Sequence, residues 1–160
     1  MRRVARVLLW LTAAYASWLA MMAVHEAGHV LHAWATGGRV VRVELPLLGF
    51  SGTDVSPNPR PAVVAWGGAA WGCLLPLAAW AVCPRKARRA GITSQLFAGF
   101  CLIANGVYLG VGWIDRVGDA GDLLRHGTPV WVLMAFGLIA SGGGLYLWHR
   151  IGTPAAVAVP

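Results

Sequence analysis

The chain has 160 residues, 58% of them hydrophobic and only 12% charged, with a formal net charge of +7. Soluble domains average roughly half apolar and a quarter charged, so this composition excludes an ordinary soluble domain and specifies a membrane protein. In so apolar a chain the basic excess reads as loops facing anionic lipid, with no nucleic-acid partner.

Four stretches are long enough to cross a hydrocarbon core, which takes about 20 apolar residues per helix: Val7 to Ala35, Pro61 to Cys83, Ile92 to Trp113 and Pro129 to Trp148. No internal repeat or low-complexity tract interrupts them. The expected fold is an all-α membrane protein, about four transmembrane helices in one bundle over residues 1–160, with a short β-hairpin between the first two. Arg2, Arg3 and Arg6 followed by an apolar run and the small-residue site Ala14 to Ala16 imitate a secretory signal. The run continues past Ala16, as an uncleaved anchor would. The three cysteines show no CxxC spacing and read as small packing residues.

Near the end of the first span stands "MMAVHEAGHVLHAW", residues Met21 to Trp34. Ionisable groups in such a setting are costly and mark function. Four residues apart, His25 and His29 project from one helix face and can hold one metal ion, while Glu26 sits about 100° round and can serve as general base. Two imidazoles and a third ligand leave a zinc ion one position for water. Chance would place this His-Glu-x-x-His pattern in on the order of one such sequence in several hundred. The bland reading makes both histidines core residues bonded to neighbouring helices. His32 lies on the same face, but about 10 Å along the axis from His25, too far to share an ion.

The segment "RVVRVELPLLGFSGTDV" then alternates Val41, Val43 and Leu45 with Arg42 and Glu44, the period-2 pattern of a half-exposed strand, and Gly49 to Asp54 supplies turn residues. A hairpin at the membrane face where the histidines emerge is expected. Its exposed edge, with Val41 and Val43, could offer backbone partners to an extended chain. The alternative is a hairpin that only covers the end of the bundle. In the second span Gly68 and Gly72 form a GxxxG pair explained by close helix packing.

Following the spans back and forth puts the Asp115 to His126 loop on the histidine side. Asp115, Asp119 and Asp122 are thus the candidates for a third ligand, and Asp119 also reads as a helix N-cap.

"HEAGH", together with "DAGDLLR" from Asp119 to Arg125, resembles the site-2 protease family of intramembrane zinc metalloproteases. The resemblance covers roughly Val7 to Arg125, with two departures: Ala120 stands for the first glycine of the family's Asp-Gly-Gly-x-x-Leu-Arg pattern, and the family's Asn-x-x-Pro segment survives only as Asn105. It implies a zinc cofactor held by His25, His29 and Asp119, Glu26 as the catalytic base, Asn105 orienting a catalytic group or contacting substrate, and Val41 and Val43 as substrate-binding residues on a strand edge that pairs with unwound substrate. The residues alone leave Asn105 equally as a helix-packing hydrogen bond. The substrate would be a membrane protein, cleaved in or near a transmembrane segment, in a bacterial or archaeal cell membrane. Two further classes stay open: a non-catalytic membrane binding protein with a retained or lost metal site, and a zinc hydrolase of a lipid-derived small molecule.

Orientation divides the arguments. Eight basic residues (Arg2, Arg3, Arg6, Arg85, Lys86, Arg88, Arg89, Arg150) fall on the N-terminal side and five (Arg39, Arg42, Arg60, Arg116, Arg125) on the histidine side. The positive-inside rule makes the N-terminal side cytoplasmic. The family resemblance implies the reverse.

Overall fold

The computed structural model describes residues 2–84 and 86–151; Arg85 of the basic cluster lies outside them. Helix α1 runs Arg2–Ala35, followed by strands β1 (Val40–Glu44) and β2 (Gly52–Val55), then α2 (Pro61–Ala81), α3 (Arg88–Gly112), α4 (Gly118–Arg125) and α5 (Val130–Ile151). Helices α1, α2, α3 and α5 are each long and apolar enough to cross a membrane. The chain is thus a multi-pass helical membrane protein. Helix α3 starts four residues ahead of the expected Ile92. Apolarity stops at Arg88, but arginine is a good helix former and the helix does not stop with it.

Small residues let the helices meet. Gly110 of α3 and Gly137 of α5 lie so close that a Cβ built on Gly110 would sit 2.8 Å from the Cα of Gly137. Without a hydrophobic drive between helices in lipid, such close packing is a main source of association. Gly28 of α1 meets the backbone of Gly67 in α2 in the same way.

The segment read as a loop after the third span contains the short helix α4. Its Ala120 and Leu123 are fully buried against Ala65 and Ala69 of α2, Leu109 of α3 and Leu133 of α5. That contact fixes α4 beneath the bundle. Gly118, at φ 54°, leads into it, and a Cβ there would strike the Tyr108 hydroxyl. Gly118 thus gives clearance to Tyr108, and Gly121 to the Arg116 carbonyl.

Strands β1 and β2 pair antiparallel, Val43 opposite Thr53. The hairpin does not cap the end of the bundle. Its tip folds back along α1, where the Tyr15 hydroxyl donates to the Leu47 carbonyl at 2.8 Å and Trp18 meets Phe50 edge-on, ring centroids 6.0 Å apart. Thr53, farther along, touches Glu26. Residues 15 to 26 of a helix span about 16 Å, so the tip lies that far back along the apolar part of α1. Leu45, Leu47, Leu48 and Phe50 are all exposed there and make an apolar surface beside the apolar part of α1.

Candidate metal centre

His25 and His29 emerge one turn apart on α1, ten and six residues before its end. Both are buried, as is Glu26 at 2% exposure. The room they need comes from α2: a Cβ on Gly68 would collide with the Nε2 atoms of both imidazoles. Gly72, one turn on, gives the same clearance to Asn105, whose amide oxygen would lie 2.6 Å from a Cβ there. The GxxxG pair thus packs helices and also makes the floor of the site.

Each imidazole is held through its Nδ1. His29 Nδ1 lies 2.8 Å from the Val64 carbonyl, which can only accept. His25 Nδ1 lies 2.7 Å from Asn105 Oδ1, and Asn105 Nδ2 donates to the Cys101 carbonyl at 2.9 Å, which sets the amide's orientation. Nδ1 then carries a proton in both rings, and both Nε2 atoms face inward, where a metal would take their lone pairs. This is the tautomer that metal-binding histidines take when a second group holds the far side of the ring.

Asp119, in the first turn of α4, completes the set. Its Oδ2 lies 2.8 Å from His25 Nε2 and 3.3 Å from His29 Nε2, and the three candidate ligand atoms all fall within 4.8 Å of one another. In a tetrahedral site with bonds near 2 Å, ligand atoms are about 3.4 Å apart. With neutral rings, three lone-pair atoms converge on one point, an arrangement satisfied by a cation or by protons on the imidazoles. The donor set fits zinc. Burial alone would push the Asp119 carboxyl up; its pairing with His25 and His29 outweighs that and holds it down at about 2. The residue is a carboxylate, ready to ligate.

The other two aspartates do not join the cluster, although Asp122 lines the cavity beside it. Asp122 pairs with Arg125, and Asp115 is exposed and joins neither. Asp119 is not an N-cap, since Val117 takes that position. His32 bonds the Val63 carbonyl at 2.8 Å, away from the cluster.

The cluster opens on a cavity of about 770 Å³, lined on one side by apolar groups including Met21, Met22, Ile103 and Val107. Gly52 to Val55 of β2 form another part of its wall. No residue of β1 does, so Val41 and Val43 lie away from the cluster on the far strand. Asn105 also lines the cavity, 1% exposed, with its amide oxygen on His25 and its amide nitrogen on the Cys101 carbonyl. Thr53 and Tyr108, both in the cavity wall, escaped the sequence reading. Thr53 bonds Glu26, and the Tyr108 hydroxyl accepts from the Asp119 amide at 3.1 Å. Neither carries a spacing signal. No family model, curated protein or solved structure matches this chain.

Proposed function

We propose that the protein is an intramembrane zinc metalloendopeptidase of the site-2 protease kind, cleaving a peptide bond in or near a transmembrane segment of another protein. One observation carries this reading: two imidazole Nε2 atoms and the Asp119 carboxylate converge beside a buried glutamate, in a cavity with a strand in its wall.

His25, His29 and Asp119 would hold the ion, with Asn105 and the Val64 carbonyl fixing the ring orientations. Zinc bound there supplies Lewis-acid polarisation of the scissile carbonyl and lowers the pKa of a water. Glu26 takes the proton as that water attacks and returns it to the amine nitrogen as the C–N bond breaks. Burial in an apolar bundle strengthens these charge interactions. The substrate segment, unwound to an extended chain, would lie along β2, the hairpin strand beside the glutamate. This assigns the edge to β2 in place of the Val41 and Val43 strand.

The test is metal dependence. Stripping the purified protein with a chelator is expected to abolish cleavage of a model transmembrane peptide in detergent, and about one equivalent of zinc to restore it. Undiminished cleavage in the stripped protein would overturn the proposal.

A further inference from the structure

Glu26 is 2% exposed, and among the described residues it has one hydrogen-bond partner, the Thr53 hydroxyl, which donates to Oε2 at 2.6 Å. That length is typical of an O–H donor on a carboxylate. A buried carboxylate without a partner is unstable, and a glutamate side chain with three rotatable bonds has no fixed direction of its own. One oxygen is thus held, leaving Oε1 for a proton.

The holding group does not come from a helix of the bundle. It comes from β2, the strand in the cavity wall, whose hairpin is otherwise tied to α1 near its tip by the Tyr15–Leu47 bond and the Trp18–Phe50 contact. Of these ties, only Thr53 reaches a group that would move a proton. We infer that Thr53 is a positioning residue for Glu26, clamping the base from the same strand that would receive the substrate, so that the hairpin's seating on α1 sets the direction of the base. This rests on the protease reading for its effect on turnover, although the clamp itself is a property of the resting protein.

Both levels can be read. In the zinc-loaded protein, Thr53→Val is expected to lower kcat on a fluorogenic transmembrane peptide by about 10- to 100-fold, the size of effect that misplacing a catalytic group by about 1 Å produces. KM and zinc content should be unchanged, and Thr53→Ser, which keeps the hydroxyl, should recover kcat to within about threefold. A rise in KM with kcat intact would make Thr53 a substrate contact or a fold residue and overturn the inference. Independently of turnover, amide exchange over residues 50–55 should speed up in Thr53→Val and in Glu26→Ala, and no further in the double variant, because each removes the same bond. Additive effects would show that no clamp exists. A wild-type protein that cleaves nothing would sink the protease reading, while the exchange cycle would still decide whether Thr53 clamps Glu26.

Discussion

Asp119 and Asp122 sit three residues apart on one short helix, yet only Asp119 faces the imidazoles; Asp122 turns to Arg125. Asn has nearly the shape of Asp but is a far weaker zinc ligand. Asp119→Asn is therefore expected to fold and lose zinc, while Asp115→Asn and Asp122→Asn keep it, as measured by metal content after purification without chelators. Zinc retained at full stoichiometry in Asp119→Asn would assign the ligand wrongly. Asn105 predicts a smaller effect at the same scale. Replacing it by Leu removes the group that holds the His25 ring, and zinc affinity should fall by about 10- to 100-fold in a chelator competition. The residues of "HEAGH" were legible because spacing on one helix needs no tertiary information. Asn105 was legible only as one of two roles, since its bond to His25 spans 80 positions and depends on how α1 and α3 pack. Thr53 left no trace in the sequence for the same reason.

At the level of elements, the second helix and the hairpin carry the consequences that the sequence pattern did not reveal. Glycine at Gly68 serves the site directly: Gly68→Ala drives a methyl into both Nε2 atoms and should abolish zinc binding, whereas Gly143→Ala on α5, where a Cβ would meet nothing nearer than Leu102 at 3.9 Å, should leave the metal in place. Hydropathy and period-2 alternation located the spans and the hairpin, and these are the features that depend on local chain chemistry. Which way the hairpin leans was not local, being decided by the Tyr15, Trp18 and Glu26 contacts on α1. The outcome is measurable. A fluorophore on Leu48→Cys, at the exposed apolar tip, should be quenched by lipid-borne quenchers and shielded from aqueous iodide; preferential quenching by iodide would place the tip in water.

For the whole molecule, composition already fixed the class, and four spans fixed the parity of the topology. Segments flanking α1 and α5 must share one side of the membrane, so reporters fused to the two ends should report the same compartment; opposite compartments would remove one span from the bundle. What the sequence could not supply was burial: the His25 ring meets Asn105 of α3 and Asp119 of α4 through contacts that span 80 and 94 positions. A buried site suits hydrolysis of a segment that leaves lipid to react, because the bundle supplies the polar groups that lipid lacks.

The central claim is that a zinc site and a glutamate base together hydrolyse a peptide bond, and one experiment addresses both halves. Wild type and Glu26→Gln, purified in parallel, are assayed for zinc and incubated with a model transmembrane peptide in detergent containing ¹⁸O-labelled water, and the products are weighed by mass spectrometry. About one zinc per chain is expected in both proteins, with ¹⁸O in the new carboxyl terminus from wild type and cleavage at least about 10²-fold slower in Glu26→Gln. Equal cleavage by the two proteins, or zinc in wild type with no cleavage at all, would contradict the account.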